Sequence, residues 1–243
     1  ADQMKLRFFT KISHEFRTPL TLILGPVEKL ISELASHPGF TEQALVIQRN
    51  TLRLMNLINQ FLDLSRLDAG VVKLNISKGD LFKYIHGIVN AYQFISHQKN
   101  IEYNFISASD SHICYFDADK IEKILYNLLS NAFKFTPPGG KIDVKVDLLN
   151  KEPGNEKEPD TLKITVSDTG KGIPEELLSR IFERFYQVDS KKYYESPGTG
   201  IGLALTHDLV SIYRGQIHVE STSGKGSSFI VSLPIDRSSF KEE

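Results

Sequence analysis

The chain has 243 residues, of which 40% are hydrophobic and 24% are charged, and its formal net charge is -1. This length predicts two domains, and the nearly neutral charge balance supplies no basic field for nucleic acid, so no nucleic-acid partner is expected. Cys114 is the only cysteine, which excludes an intrachain disulfide and a cysteine metal centre.

The first two predicted elements are helices. Apolar residues recur in alternating steps of three and four over residues 6–34, as in an amphipathic helix. The His-Pro-Gly sequence at 37–39 ends this pattern, and a second one over residues 45–67 ends near Gly70. Residues 1–70 are therefore predicted to form an antiparallel helical hairpin. Because one hairpin cannot bury both of its apolar faces, we expect a homodimer in which two hairpins form a four-helix bundle.

The remainder, residues 71–243, alternates short β-rich runs with helical patterns and is predicted to be an α/β sandwich domain, which makes the whole chain α+β. Strands are expected at 71–75, 101–106, 113–116, 141–149, 161–167, 215–220 and 228–233. Helices are expected at 79–98, 117–135, 174–180 and 201–213. The polar stretch 151–160 is predicted to be a solvated loop.

One of the seven histidines, His14, has an unusual setting on the first predicted helix. It lies away from the apolar stripe and shares its face with Thr18, while Pro19 predicts a local kink. A neutral imidazole is a nucleophile, and a carboxylate such as Glu15 could hold the other ring N–H and assist proton removal. The Thr18 hydroxyl could orient a water toward a phosphoryl group on a partner. A lone surface histidine remains the alternative.

The helix predicted at 117–135 carries two amides on one face, because Asn127 and Asn131 are four residues apart. Lys134 and Phe135 follow one turn later. Amide oxygens suit a hard cation such as Mg²⁺, and the lysine could neutralise phosphate charge. Helix capping or surface solvation would explain these residues equally well.

Two glycine-rich segments follow. In DTGKGIP at 168–174, an acid at a strand end precedes two glycines, so a carboxylate could accept from an exocyclic amine while the backbone approaches a flat ring. In GTGIGL at 198–203, glycines open the last long helix, whose free N–H groups favour phosphate. Plain turns would account for either segment alone, and neither fits a dinucleotide fold or a P-loop.

These motifs resemble those of sensor histidine kinases in both order and spacing. SHEFRTPL at 13–20 resembles the phosphoacceptor box of that family. NLLSNAFKFT at 127–136, DTGKGIP at 168–174, FERFY at 182–186 and GTGIGL at 198–203 resemble the N, G1, F and G2 boxes of its catalytic domain. The resemblance covers nearly the whole chain and implies the Bergerat-type ATP-binding fold, with ATP and Mg²⁺ as cofactors.

The resemblance also implies residue roles. His14 would be phosphorylated, Glu15 would assist the kinase step and Thr18 would support phosphatase activity. Asn131 would hold Mg²⁺, Asn127 and Lys134 would lie along the phosphates, and Asp168 would take the adenine amine. The expected ATP-binding residues are Asn127, Asn131, Lys134, Phe135, Asp168, Gly170, Gly172, Ile173, Arg184, Gly198, Thr199, Gly200, Gly202 and Leu203. The segment 190–199 would be a mobile lid over the triphosphate.

The chain departs from the family pattern at two positions. Phe135 stands where many relatives have Tyr or His, which keeps stacking on adenine but loses a polar tip. Gln187 stands where many relatives have an arginine that reaches the γ-phosphate. Arg184, Lys191 or Lys192 could supply that charge instead.

The resemblance implies an ATP-dependent autokinase that phosphorylates His14 and passes the phosphoryl group to an aspartate of a response-regulator receiver domain. A further likeness to hybrid kinases of gut Bacteroidetes suggests a receiver in the same polypeptide. No apolar run approaches the roughly 20 residues that span a bilayer, so we expect no direct membrane contact here and interpret the chain as the cytoplasmic portion of a membrane-anchored sensor. The alternatives are a Bergerat-fold ATPase, which would carry a glutamate at Asn127, and a nucleotide-binding scaffold without turnover.

Overall fold

The computed structural model describes residues 20–31, 38–149, 160–187 and 199–235. The chain divides into two compact units, Ala1–Val72 and Lys73–Glu243. The predicted kink at Pro19 and the predicted loop at 151–159 lie outside the described residues.

The first unit is helical. Helix α1 includes residues 20–31, and helix α2 spans Pro38–Asp68. Gly70 adopts a left-handed φ of 64° just after α2, as is usual at a helix C-terminus, which confirms the predicted end of this helix. Among the described residues no helix has the length and apolar character needed to cross a membrane.

The second unit contains five further helices and seven strands among its described residues. The helices are α3 (Leu81–Asn90), α4 (Gln93–Lys99), α5 (Ala118–Phe135), α6 (Glu175–Leu178) and α7 (Gly202–Ile212). The strands are β1 (Ser77–Asp80), β2 (Glu102–Ser107), β3 (Ile113–Phe116), β4 (Lys141–Leu149), β5 (Thr161–Asp168), β6 (Gln216–Thr222) and β7 (Gly226–Pro234).

A mixed five-stranded sheet forms one layer of this unit, in the order β2-β4-β5-β7-β6. Only the β2–β4 pair is parallel among the four pairings. Alternate residues of the three central strands are buried, whereas their neighbours, such as Lys145, face away from the core. The buried set is Ile142, Val144, Val146, Leu162, Ile164, Val166, Phe229, Val231 and Leu233. The buried face of α5 contacts this sheet, so the predicted α/β sandwich is confirmed.

Two predicted elements are wrong. The strand expected at 71–75 does not form, and β1 begins only at Ser77, where it pairs with β3. Residues 71–76 do alternate between exposed and half-buried, but the backbone N–H of Asn75 donates to the carboxylate of Asp117 (2.6 Å) instead of to a neighbouring strand. The β-rich run therefore has one half-buried face but does not pair as a strand.

The helix expected at 79–98 is two helices. Asp80 caps the start of α3 by accepting a hydrogen bond from the backbone N–H of Lys83. The chain then turns at Tyr92, whose N–H donates to the carbonyl of Val89 (3.1 Å). The Tyr92 ring is buried and stacks on Phe133 with centroids 5.3 Å apart, which holds this turn against α5.

Asp117 joins three segments of the second unit. Its side chain is 1% exposed, and its carboxylate accepts hydrogen bonds from the backbone N–H groups of Lys120 (3.1 Å) and Asn75 (2.6 Å). Its own N–H donates to the Tyr213 hydroxyl (2.7 Å), which donates to the Asp117 carbonyl (3.0 Å). The start of α5 is thus fixed to the end of α7 and to the segment before β1.

We expect Asp117→Ala to lower the free energy of unfolding by about 2 kcal/mol, because a helix cap is lost and two part-buried N–H groups lose their acceptor. Urea denaturation measures this loss. Asp119→Ala is the matched control, since the Asp119 side chain is 57% exposed and pairs only with Lys120 and Lys123 in the described contacts, so its loss should be small. Equal losses in the two variants would contradict the role given to Asp117.

Candidate nucleotide site

Helix α5 places four of the predicted site residues near its C-terminal end. Asn127 is buried, while Asn131, Lys134 and Phe135 are half-buried. The Lys134 ammonium lies 5.0 Å from the centroid of the Phe135 ring. The Lys99 ammonium donates to the Phe133 carbonyl (2.8 Å), which steadies the last turn of the helix. The predicted grouping of amides and amine on one helix is thus present.

Asn127 connects α5 to the start of α7. Its Nδ2 donates to the carbonyl of Gly202 (3.3 Å) and to the hydroxyl oxygen of Thr206 (3.4 Å). A Cβ at Gly202 would lie 3.4 Å from Asn127 Oδ1, so the glycine lets the two helices approach at this point. The structure therefore brings the first asparagine of the pair against the end of the glycine-rich segment.

Within the described parts of the chain, the side-chain oxygens of Asn127 and Asn131 on α5 have no hydrogen-bond donor. Asn127 is 7% exposed, yet its Oδ1 accepts no hydrogen bond from any residue that the structure describes. The half-buried Asn131 amide likewise has no hydrogen-bond partner among those residues. A buried polar atom without a partner is costly, and amide oxygens are ligands that Mg²⁺ or its waters can use. These two side chains therefore fit a hydrated Mg²⁺.

Asp168 ends strand β5, and its carboxylate accepts a hydrogen bond from the backbone N–H of Gly170 (2.8 Å). Burial raises the pKa of this carboxyl above its ordinary value, although the N–H groups of Gly170 and Ser227 act in the opposite direction. A half-buried carboxylate with remaining acceptor capacity suits an exocyclic amine of a base.

The two glycines after Asp168 are required by close contacts. A Cβ at Gly170 would lie 2.6 Å from the carbonyl oxygen of Phe135, and Gly172 has a φ of 66° with its Cα against the carbonyl of Thr222. Side chains at these positions would separate the Asp168 loop from the end of α5 and from the β6–β7 turn. The predicted site residues of α5 and of this loop are thereby brought together.

Two serines of the β6–β7 hairpin, Ser221 and Ser227, were not among the predicted site residues. The Ser221 hydroxyl accepts from the N–H of Ile173 (2.8 Å) and lies 2.9 Å from the Ser227 hydroxyl. Ser227 stands opposite Asp168 in the β5–β7 register, and its N–H donates to the Asp168 carboxylate. The only signal in the sequence was the polar, glycine-rich run at 221–228, which follows the strand predicted at 215–220.

The glycine-rich segment before α7 is described from Thr199 onward, so the predicted Gly198 lies outside the described residues. Gly200 has a φ of 69°, and its carbonyl accepts from the N–H of Phe185 (2.8 Å). Phe185 itself has a positive φ of 62° and is exposed. The F and G2 boxes are therefore in direct contact, with Leu203 half-buried in the first turn of α7.

Three residues could supply the positive charge that the arginine of many relatives provides at position 187, and the structure describes one of them, Arg184. Arg184 Nη2 lies 3.1 Å from Asp208 Oδ2 on α7, and Gln187 is exposed. Lys191 and Lys192 lie outside the described residues. The guanidinium of Arg184 therefore forms an ion pair with Asp208 of α7. An interaction of Arg184 with the γ-phosphate stays a prediction.

Two protein families match the chain. Residues 4–70 match the His Kinase A (phospho-acceptor) domain, and residues 116–237 match the histidine kinase-, DNA gyrase B- and HSP90-like ATPases. The first range contains His14, Glu15 and Thr18, which lie outside the described residues. The second contains every expected ATP-binding residue.

Individual relatives agree with both matches. The chain is 37% identical over 237 residues to hybrid signal transduction histidine kinase D of Dictyostelium discoideum, covering 96% of this chain and 15% of that protein. It is 39% identical over 236 residues to sensor histidine kinase TmoS of Ectopseudomonas mendocina, covering 97% of this chain and 23% of that protein. The crystal structure of full-length ShkA in complex with AMPPNP matches with a TM-score of 0.74 at 26% identity, covering 95% of this chain and 46% of that one. The chain belongs to the histidine kinase family and carries its phospho-acceptor and ATP-binding domains.

Proposed function

We propose that this chain transfers the γ-phosphoryl group of ATP to His14 and then to an aspartate of a response-regulator receiver domain. The observation that carries the proposal is the buried Asn127 amide, whose oxygen has no donor among the described residues and which lies against the start of α7. The match of residues 4–70 to a phospho-acceptor domain supplies the recipient.

We assign the adenine end of ATP to Asp168, which accepts from the exocyclic amine while Gly170 and Gly172 let the ring approach the backbone. At the phosphate end, Asn131 holds Mg²⁺ and Lys134 neutralises phosphate charge. We assign the remaining expected ATP-binding residues to contacts with the nucleotide between these ends. When bound, Mg²⁺ neutralises charge that develops on the triphosphate.

At the acceptor, one imidazole nitrogen of His14 attacks the γ-phosphorus. A nitrogen–phosphorus bond forms, the bond to the bridging oxygen breaks, and ADP leaves with that electron pair. The Glu15 carboxylate takes the proton from the ring. A receiver carboxylate oxygen then displaces the imidazole to form an acyl phosphate. Thr18 orients the water that later hydrolyses this phosphate, which gives the phosphatase activity.

Homodimerisation is part of the proposal. Large apolar side chains are exposed along both helices of the first unit, among them Leu22, which is 70% exposed. The other exposed ones are Ile23, Leu30, Leu45, Val46, Ile47, Leu52, Leu54 and Phe61. Such surfaces are buried when two hairpins pair. We further propose that the chain is the cytoplasmic portion of a membrane-anchored sensor, with its receiver in the same polypeptide or in another.

Wild-type protein incubated with γ-labelled ATP and Mg²⁺ is expected to acquire covalent label that is labile in acid and stable in base, as a phosphoramidate is. A Bergerat-fold ATPase would release free phosphate and leave the protein unlabelled. A signalling scaffold would bind nucleotide with neither result. Either of these two outcomes would refute the autokinase proposal.

A further inference from the structure

Thr206 is a polar residue in the core of the second unit. It lies in α7 one turn after Gly202 and is 0% exposed. Its hydroxyl donates to the Gly202 carbonyl (2.9 Å) and accepts from Asn127 Nδ2 (3.4 Å), which also donates to that carbonyl (3.3 Å). The hydroxyl, the carbonyl and the amide therefore form a closed network.

This network permits only one orientation of the Asn127 amide. The Thr206 hydroxyl has a single proton, which is used on the Gly202 carbonyl, so the hydroxyl faces Asn127 as an acceptor. The Gly202 carbonyl is an acceptor as well. A reversed amide would place Oδ1 against two acceptor oxygens, and the cost of unpaired buried polar atoms opposes this.

The consequence concerns the amide oxygen. With both acceptors facing Nδ2, Asn127 can offer only Oδ1 to a ligand. An amide oxygen attracts a cation or the hydrogens of its bound waters and repels a bare phosphate oxygen, whereas an amide N–H does the opposite.

We propose that Thr206 is a positioning residue that holds the Asn127 amide with its oxygen presented to Mg²⁺ or to its waters, so that Asn127 serves the cation and does not donate to phosphate. This inference rests on the proposed function, because it concerns the same nucleotide site. A purely helical role for the Thr206 hydroxyl, as a donor to the carbonyl four residues earlier, would leave the response to Mg²⁺ untouched.

The test compares nucleotide binding with and without the cation. Affinity for ADP is measured by titration calorimetry in excess Mg²⁺ and again in EDTA, for the wild type, Thr206→Val and Thr206→Ser. Thr206→Val keeps the shape and removes the hydroxyl, whereas Thr206→Ser keeps the hydroxyl. We expect Thr206→Val to weaken ADP binding roughly tenfold in Mg²⁺ and to leave binding in EDTA unchanged, because partners that orient a metal-facing group tune metal affinity on that scale. Thr206→Ser should behave as the wild type.

Thr206→Ala also removes the hydroxyl but introduces no branched side chain. It should show the same loss of ADP affinity in Mg²⁺ as Thr206→Val, so a folding defect confined to the valine variant would not be mistaken for the effect. Equal weakening in Mg²⁺ and in EDTA, or an unchanged response to Mg²⁺ in both variants, would overturn the role of Thr206 while leaving the autokinase intact. Wild-type protein that binds no ADP under either condition would overturn the proposed function and this inference together.

Discussion

His14→Gln is expected to reduce phosphoryl labelling to background while leaving ATP affinity unchanged. The glutamine amide nitrogen is not a nucleophile, because its lone pair is delocalised into the carbonyl, so no nitrogen–phosphorus bond can form. The expected ATP-binding residues all belong to the second unit, whereas His14 belongs to the first. Autoradiography after acid and base treatment measures the label, and titration calorimetry measures ATP affinity.

His97→Gln is the matched control, since His97 is an exposed histidine of α4 in the second unit. This variant should label as the wild type does. Asn131→Asp should also remain unlabelled, because the nucleotide site is altered while the acceptor His14 is intact. Mixed dimers of Asn131→Asp and His14→Gln would regain label if one protomer phosphorylates the other. Label persisting in His14→Gln alone would show that another residue is the acceptor.

The sequence predicted the elements that carry the site because each depends on a local pattern. The span of β4 and the C-terminal end of α5 were predicted correctly, and spacing alone placed Asn127 and Asn131 on one helix face. The direction of the Asn127 amide was not predictable, because it depends on Thr206, which is 79 residues away along the chain. The orientation of this amide is set by an acceptor far away along the chain, and such a contact produces no periodic pattern in the sequence.

The same limit explains the missed serines and the wrong strand. Ser221 supports Ile173 across a separation of 48 residues, and Asn75 is held by Asp117 across 42. In both cases a hydrogen bond from a distant part of the chain determines the local conformation. The composition of a short run indicates that a strand is favoured locally, but it does not specify which partner the backbone will find.

Asp168→Asn is expected to weaken ATP binding by about 2 kcal/mol, or roughly thirtyfold in Kd, because a charge-assisted hydrogen bond to the adenine amine is lost. The substituted amide also cannot accept at both of its atoms, whereas the carboxylate accepts from the N–H groups of Gly170 and Ser227. Titration calorimetry with ATP and with GTP measures the effect. GTP lacks an amine at the corresponding ring position, so its weak binding should change little.

The raised pKa of Asp168 also predicts how this residue affects the stability of the nucleotide-free protein. Because burial raises the pKa of the folded-state carboxyl, its contribution to folding is fully present below the pKa of an unfolded aspartate and is lost as pH rises through the raised value. Above that raised pKa, ionisation of Asp168 therefore adds no stability. In that pH range Asp168→Asn should lower the melting temperature of the nucleotide-free protein only by the loss of one accepted N–H, although it weakens ATP binding roughly thirtyfold.

In the wild type, ATP affinity should fall as pH drops through the raised pKa of Asp168, because a protonated carboxyl is a weaker acceptor for the amine. The triphosphate itself titrates, so the informative quantity is the difference between wild type and Asp168→Asn, which should shrink toward acid pH. Asp143→Asn is the control, since the Asp143 carboxylate accepts from Asn104 and pairs with Lys141, and Asp143 is not among the expected ATP-binding residues. A difference that stays constant with pH, or a comparable loss of affinity in Asp143→Asn, would mean that Asp168 does not bind adenine through its ionised carboxylate.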